Sequence, residues 1–246
     1  MVGGLLLRGM LVGVVAGLLC FGFLKIAGEP SVDRAIAFES AQEAVRHPHE
    51  QPEPELVSRE TQAGIGLFTG VVTYSAAFGG LFALAFALAY RRIGDLSPRA
   101  VSALLATVGF TVIHVVPMLK YPANPPSVGE PETIGMRTAL YFSFIAVSLL
   151  TAIAAGMLRT RLQARNGAWN ATLIAGGIYV AVMLAVGIAL PTVNEVPDGF
   201  PAVVLWQFRV SALGAQLIMW TTLGLVFGAL TQRAVTGQSR LRAKTV

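Results

Sequence analysis

Hydrophobic residues gather into six long runs separated by short polar links. The runs cover about residues 5–27, 62–90, 100–119, 138–158, 168–190 and 202–231. Each run supplies the roughly 20 apolar residues that a helix needs to cross the hydrocarbon core of a bilayer. The pattern predicts an all-α polytopic membrane protein with six transmembrane helices, arranged as three consecutive hairpins. We expect residues 1–246 to form a single integral membrane domain.

The thirteen acidic residues occur only in the links. Eight lie between Glu29 and Glu60, one is Asp95, and the others are Glu130, Glu132, Glu195 and Asp198. An Asp at the centre of a membrane helix costs about 2.5 kcal/mol or more, so their exclusion from the runs indicates contact with lipid. The composition agrees, because 13% of the residues are charged, against about 25% in soluble domains.

Basic residues indicate the orientation in the membrane. One side of the predicted bundle holds eleven bases and a single acid, for a net charge of 11 − 1 = +10. The other side holds seven bases and twelve acids, for 7 − 12 = −5. The positive-inside rule places the basic side, with both termini, in the cytoplasm. We therefore expect a multi-pass protein of a bacterial inner or plasma membrane. The bases form no patch for nucleic acid.

Glycines spaced four residues apart predict where helices pack closely. They are Gly9, Gly13 and Gly17 in the first run, Gly66 and Gly70 in the second, and Gly224 and Gly228 in the sixth. Small residues at this spacing form a flat face that lets two helix backbones approach. We expect these faces to form seams within the subunit or with a partner, including another copy of the chain.

The first outer link, residues 28–61, is the longest polar segment. Ser31 to Val45 reads as a short amphipathic helix that could rest on the membrane surface. His47, His49 and Glu50 follow it. Imidazole and carboxylate groups suit divalent transition metals. This stretch is therefore either a metal-capture site or a solvated acidic loop.

His114 lies inside the third run. Thr107, Thr111 and Met118 lie at i−7, i−3 and i+4 from it, so a regular helix would align them in one narrow polar stripe. An ionisable residue within a membrane helix is a functional candidate. The histidine either belongs to an ion pathway or bonds a neighbouring helix for structural reasons.

Two outer links resemble each other. One contains Asn124 and leads to Arg137, and the other contains Asn194 and leads to Arg209. The likeness reflects either an internal duplication or the tendency of Pro and Asn to end helices. The Asn-containing links could bend backbone carbonyls toward a pore mouth. We expect the two arginines to pair with outer acids such as Glu132 and Glu195.

Several absences from the sequence narrow the mechanism. The chain has no phosphate-binding G-x-x-x-x-G-K-[ST] motif, no acid in mid-membrane and no nucleophile–base constellation. We therefore expect no enzyme and no permanently bound cofactor. A cation path would be lined by neutral groups: backbone carbonyls near the glycines, threonines, methionines, His114, Tyr74, Tyr141, Asn170, Gln207 and Gln216. The lone cysteine, Cys20, excludes an internal disulfide.

Four strings of the outer links carry a family resemblance. They begin at Gly28-Glu29-Pro30, Lys120-Tyr121-Pro122-Ala123-Asn124-Pro125-Pro126, Arg137-Thr138-Ala139-Leu140-Tyr141 and Leu190-Pro191-Thr192-Val193-Asn194. The chain resembles the CbtA family, described as a predicted cobalt transporter subunit, over nearly its whole length. The resemblance implies cobalt uptake linked to cobalamin, and a small single-span partner, CbtB, with a histidine motif.

Together these observations favour a subunit that moves a divalent transition metal into the cytoplasm, and Co²⁺ is the leading candidate. Two other classes stay open. The chain could be a scaffold of a larger membrane complex, or it could transport an organic solute such as a corrinoid precursor. A wide cavity lined by Trp206, Trp220 and tyrosines would favour the organic solute.

Overall fold

The computed structural model describes residues 2–46 and 57–244, with side chains described up to residue 236. These residues form helices and turns without a strand, which confirms the all-α class. Five helices are long and apolar enough to cross a membrane. They are α1 (Val2–Arg46), α2 (Arg59–Ala89), α3 (Pro98–Lys120), α4 (Ile134–Ala189) and α5 (Ala202–Thr236, continuing to Lys244).

The chain divides into two compact units. Unit 1 comprises Met1–Phe110 and Pro201–Val246, and unit 2 comprises Thr111–Phe200. Unit 1 therefore contains α1, α2, α5 and the first part of α3. Unit 2 contains the rest of α3, α4 and the links on either side of α4.

The fourth and fifth predicted runs belong to one helix, α4, which is interrupted at Gly167. This residue has φ 74° and ψ 162°, a conformation that glycine adopts without a steric penalty. On either side of it, Arg159 Nε donates a hydrogen bond to Thr172 Oγ1 at 2.8 Å. A straight helix would separate these two residues by about 20 Å, at about 1.5 Å per residue. The chain therefore folds back near Gly167, and α4 has two arms, residues 134–166 and 168–189.

The polar part of the first outer link differs from its prediction as a separate amphipathic helix. It is helical, but it continues the first span without a break, through a π-helical segment at Leu24–Gly28. Ala35, on the predicted apolar face, is buried, whereas Val45 at the other end of that face is 80% exposed. Burial along this face therefore decreases from Ala35 toward Val45.

The glycine face of α1 forms the predicted seam, with α2 as its partner. A Cβ atom on Gly9 would overlap the carbonyl oxygen of Gly79, and one on Gly13 would overlap that of Ser75. A Cβ on Gly17 would lie 2.8 Å from the Cα of Val72, which is also closer than real Cβ contacts. The two backbones are therefore in direct contact along three turns of α1.

The other two glycine pairs behave differently from each other. Gly224 and Gly228 form a seam with α3, where added Cβ atoms would lie 2.7 Å from Ala106 Cβ and 2.9 Å from Ser102 Cβ. At Gly70, by contrast, no atom lies within 4 Å of an added Cβ, and Gly66 meets only its own helix at Thr61. Gly66 and Gly70 therefore form no seam with another described helix, and a seam with a partner stays a prediction for this pair. The spacing predicts a smooth face but not what covers it.

An aromatic cluster fills the centre of unit 1. The Trp220 ring packs edge-on against Phe78, with 5.1 Å between the ring centroids, and Phe227 packs edge-on against Phe82 and Phe86. Gly109 of α3 gives the indole its space, because a Cβ there would overlap the Trp220 ring. Trp220, Phe227 and the two rings packed on Phe227 are all buried.

In the part of the chain that the structure describes, four helices contain a π-helical segment of five or six residues: Leu24–Gly28, Gln62–Gly66, Phe110–Val115 and Leu223–Phe227. In each segment a carbonyl accepts a hydrogen bond from a side chain of another helix or helical arm. The bonds are Ser211 to Ala27 at 2.8 Å, Lys25 to Ala63 at 3.1 Å, Ser148 to Val112 at 2.6 Å and Ser102 to Gly224 at 2.8 Å. A π-helical turn interrupts the regular backbone hydrogen bonds of the helix. The side chains named above donate hydrogen bonds to carbonyls in these turns.

Candidate functional site

The sequence-predicted capture residues His47, His49 and Glu50 lie outside the described residues. Within residues 2–46 and 57–244, no group of three or more His, Cys, Asp or Glu side chains is placed to hold a metal ion. The capture site therefore stays a prediction from the sequence.

His114 lies in the π-helical segment Phe110–Val115 of α3. A π-helical turn contains more residues than an α-helical turn, so the angle between His114 and the residues before the segment differs from the α-helical value. Thr107 precedes the segment, and its hydroxyl donates to the Ala103 carbonyl of its own helix at 2.9 Å. Thr111 is exposed, while His114 and Met118 are half-buried. The regular stripe assumed from the sequence is thus interrupted at its centre.

A second polar group of unit 2 lies next to the same segment. The Ser148 hydroxyl bonds the carbonyl of Val112 at 2.6 Å and the Tyr179 hydroxyl at 2.8 Å. Ser148 is fully buried. Neither hydroxyl was singled out from the sequence. The sequence offers little signal for this pair, because the same two runs also contain Ser143, Thr151 and Thr172.

The two Pro/Asn links of unit 2 are joined by side-chain bonds. Lys120 Nζ donates to the carbonyl of Leu190 at 3.0 Å, and the Tyr121 hydroxyl donates to the carbonyl of Pro191 at 2.9 Å. Both donors come from the K-Y-P-A-N-P-P string of one link, and both acceptors open the other link. Asn124 and Asn194, at the centres of these links, are exposed.

Glu195 holds the same two links together at a second place. Its Oε2 atom accepts hydrogen bonds from the backbone N–H of Glu130 at 2.8 Å and the hydroxyl of Thr133 at 2.9 Å. Arg137 Nε lies 3.3 Å from the same oxygen, so this ion pair suggested by the sequence is present. The bonds from Glu130 and Thr133, helped by the Arg137 charge, hold the pKa of the Glu195 carboxyl below its usual value.

Gly129 makes room for the arginine of this cluster. Its φ is +125°, and a Cβ there would overlap the Arg137 guanidinium. Arg137 Nη2 also donates to the carbonyl of Glu130 at 3.1 Å. The guanidinium is therefore fixed by one carboxylate, one carbonyl and a glycine. The corresponding residue of the other link, Arg209, is half-buried on α5 in unit 1.

Unit 1 contains an open cavity of about 400 Å³ between α1, α2 and α5. Its polar lining comes from Cys20, Tyr74, Ser75 and Gln216, and the Met219 thioether adds a soft donor. Gly66 and Gly70, which form no seam, line the same cavity.

The cavity side chains are held by bonds within unit 1. Cys20 Sγ donates to the carbonyl of Ala215 at 3.2 Å, and the Tyr74 hydroxyl is bonded to the Gln216 side chain. Tyr74, Gln216 and the methionines were among the neutral groups expected along a cation path. Cys20 was not, because a lone buried cysteine usually behaves as a small apolar residue. Sulfur ligands favour transition metals over Ca²⁺ or Mg²⁺.

A scan against protein families matches residues 2–232 to one model, described as "probable cobalt transporter subunit (CbtA)". The match covers nearly the whole chain. The chain belongs to the CbtA family. This membership confirms the resemblance seen in the outer links, and it identifies a family of transporter subunits rather than enzymes. No curated protein and no solved structure matches the chain.

Membership in the CbtA family helps to interpret the apolar helices and the polar groups inside them. The apolar helices fit a multi-pass membrane protein in contact with lipid. A transport role for the CbtA family makes polar groups inside these helices candidates for contact with the cargo. In the described residues, they are concentrated around the π-helical segment with His114 in unit 2 and in the cavity of unit 1.

Proposed function

We propose that this member of the CbtA family moves Co²⁺, or a related divalent transition metal, into the bacterial cytoplasm, where cobalt supplies cobalamin synthesis. The family match over residues 2–232 is the observation on which the proposal rests. The neutral oxygen, nitrogen and sulfur groups inside the helices are compatible with a transition-metal cargo.

The proposed topology has six spans, three hairpins and both termini in the cytoplasm of a bacterial inner or plasma membrane. The fold of α4 supports it, because its arms of 33 and 22 residues are about 50 and 33 Å long, enough to cross a bilayer core of about 30 Å. The end of the first arm, next to the turn, carries Arg159, Arg161 and Arg165, as the positive-inside rule requires on the cytoplasmic side. In this arrangement both compact units are embedded in the membrane.

In the proposed mechanism, the acidic outer face raises the local concentration of the cation. His47, His49 and Glu50 then capture it, together with histidines of a small single-span partner of the CbtB type. The Asn124 and Asn194 links bend carbonyls toward the entrance. Arg137 cannot ligate a cation, and its role is to hold these links together through Glu195.

Within the membrane, His114 acts as the inner relay of the proposed path. A neutral imidazole ligates divalent transition metals, whereas the protonated form repels them. Thr107, Thr111 and Met118 add weaker oxygen and sulfur donors on the same helix. The cation needs no proton relay, because a divalent ion entering a negatively charged interior gains roughly 2 × 2.3 kcal/mol per 100 mV.

The cavity of unit 1 supports a small cargo more than a large organic one. Trp220 is buried against Phe78 rather than lining the cavity, and Trp206 lies outside it. The pair of aromatic walls that would favour an organic solute is therefore not formed in this cavity. Its polar donors are a thiol, a thioether, a phenol and an amide, which are metal-binding groups.

The test is uptake of radiolabelled cobalt into sealed vesicles. We expect uptake above that of empty vesicles when the chain and its partner are reconstituted together, and a strong loss with His114→Ala. Ile113→Ala is the matched control, because it removes similar bulk from the same helical segment. We expect it to retain uptake.

The result distinguishes a transporter with a histidine relay, a transporter in which His114 is structural, and a scaffold. Uptake no better than empty vesicles, with or without the partner, would refute the transport proposal and favour a scaffold. Normal uptake by His114→Ala would remove the relay and leave a structural histidine. For the capture site, we expect a His47→Ala/His49→Ala double variant to need more cobalt for half-maximal uptake, with Glu53→Gln as the control in the same link.

A further inference from the structure

A second cavity of unit 1, about 290 Å³ in volume, lies where α1 leaves its π-helical segment and passes α5. Its polar lining consists of Ser31, Arg34, Gln207 and Ser211. Ile26 and Val210 form part of its apolar lining. Gln207 is one of the neutral groups expected along a cation path, but the proposed capture and relay sites use none of these side chains. An arginine in this position would oppose a cation.

Arg34 is oriented by a neutral partner. Its Nη1 donates to Gln207 Oε1 at 3.0 Å, which leaves other guanidinium N–H groups and the Gln207 amide nitrogen as donors beside the cavity. Ser31, also in the lining, is 1% exposed. Guanidinium, amide and hydroxyl donors around a small cavity suit a phosphate group, which accepts charge-assisted hydrogen bonds.

The two acids that precede Arg34 on α1 are occupied by another base. Glu29 and Asp33 both pair with Arg59, and the Asp33 oxygen lies 3.0 Å from it. The positive charge of Arg34 is thus directed to Gln207 and the cavity rather than neutralised by these carboxylates.

The surroundings indicate a lipid rather than a dissolved ion. Ile26 is 80% exposed and Val210 is 46% exposed, and Trp206 on the adjacent turn of α5 is 69% exposed. Arg34 lies two turns beyond Ile26 on α1, where the apolar run gives way to the polar segment. Tryptophan and arginine at this level are typical of the boundary between hydrocarbon and head groups. An acyl chain could cover the apolar residues while its phosphate enters the cavity.

We propose that this cavity is a binding site for the phosphodiester of an anionic phospholipid, with Arg34 and Gln207 as its principal ligands. The full-length protein, purified in detergent, is mixed with phosphatidylglycerol and examined by native mass spectrometry. We expect Arg34→Ala to bind this lipid about ten-fold more weakly, the change that a loss of about 1.4 kcal/mol produces. Arg46→Ala, an exposed arginine on the same helix, is the matched control and should bind like wild type.

Further measurements separate the sources of the phosphate. We expect phosphatidylcholine to bind more weakly than phosphatidylglycerol, and inorganic phosphate at millimolar concentration not to displace the lipid. Arg34→Gln keeps a polar side chain and tests the same loss if Arg34→Ala does not fold. Equal lipid binding by wild type and both Arg34 variants would overturn the proposal. Displacement by inorganic phosphate would overturn the lipid assignment and favour a soluble anion. Neither measurement involves cobalt, so the outcome is independent of the transport test.

Discussion

The hydroxyl groups of Ser148 and Tyr179 lie 2.8 Å apart although 31 residues separate them in the chain. Both belong to α4, and a straight helix would place them about 46 Å apart. Together with the bond between Arg159 and Thr172, this contact aligns the two arms of α4 from the turn at Gly167 to well inside the apolar runs. Because the two arms lie side by side, the first and last residues of α4 lie at the same end of the pair.

This pairing predicts that the residues before and after the second arm are labelled from opposite sides of the membrane. In a Cys20→Ser background, we expect Asn194→Cys to react with a membrane-impermeant maleimide on intact cells. Arg165→Cys should react only after the membrane is permeabilised. Both positions are exposed, so burial does not limit the reaction. Labelling of both from the same side would contradict two spans in α4, and the reverse pattern would contradict the proposed orientation.

The glycine seam between α1 and α2 predicts a difference between two similar substitutions. Gly13→Ala places a methyl group against the Ser75 carbonyl, whereas Gly70→Ala places one in open space. Overpacking costs about 1–3 kcal/mol, and alanine stabilises an otherwise unhindered helix by about 0.5–1 kcal/mol. We expect Gly13→Ala to lower the temperature of unfolding in detergent and Gly70→Ala to leave it unchanged or raise it. Equal effects would mean that the seam does not govern stability.

The bonds to Glu195 predict a dependence of stability on pH. Its pKa is lower in the folded protein than its ordinary value of 4.5, because the Glu130 N–H and the Thr133 hydroxyl favour the ionised form. The stabilisation is therefore complete above about pH 4.5 and is lost as the pH falls through the lower, folded value. We expect Glu195→Gln to unfold at a lower temperature than wild type at neutral pH, with a smaller further decrease on acidification.

The control for this measurement is Glu132→Gln, which changes an exposed acid of the link that Glu195 contacts. Its unfolding temperature should follow that of wild type throughout the acid range. A parallel decrease in wild type and Glu195→Gln below about pH 4.5 would show that other groups titrate there.

The proposal that the membrane potential drives the cation inward predicts that uptake depends on voltage. With a potassium gradient and valinomycin setting an inside-negative potential, we expect the initial rate of cobalt uptake to rise steeply. The driving force increases by roughly 4.6 kcal/mol per 100 mV for a divalent cation, twice the value for a single charge. Collapse of the potential should abolish accumulation against a concentration gradient. Accumulation that persists at zero potential would require another energy source.

Much of the fold could be predicted because lipid constrains the sequence strongly. Because the apolar runs contain no acids, most of their predicted ends lie within about four residues of the observed helix ends. The basic link with Arg159, Arg161 and Arg165 predicted the position of the turn inside α4. The larger shifts arise where a helix continues past its apolar run, as α1 does to Arg46. A smaller shift comes from a cap, because Ser97 accepts a hydrogen bond from the Ala100 N–H and starts α3 two residues before the predicted run.

Contacts between helices were less predictable, for physical reasons. Gly13 and Gly70 have the same spacing pattern, yet only one has a neighbour, since a smooth face does not specify its partner. The π-helical segment around His114 accepts a hydrogen bond at Val112 from Ser148, 36 residues distant along the chain. A periodicity calculated within one helix contains no information about such a bond.

The π-helical segments also bear on how the length of this chain can vary. A wide turn accommodates one residue more than a regular α-helical turn, while the helix on both sides keeps its direction. Loss of one residue inside Leu24–Gly28 would therefore return α1 to regular pitch with its flanking faces still aimed at their neighbours. The same loss in mid-helix would rotate everything beyond it by about 100°. Single-residue deletions should consequently be tolerated at these four positions better than elsewhere in the helices.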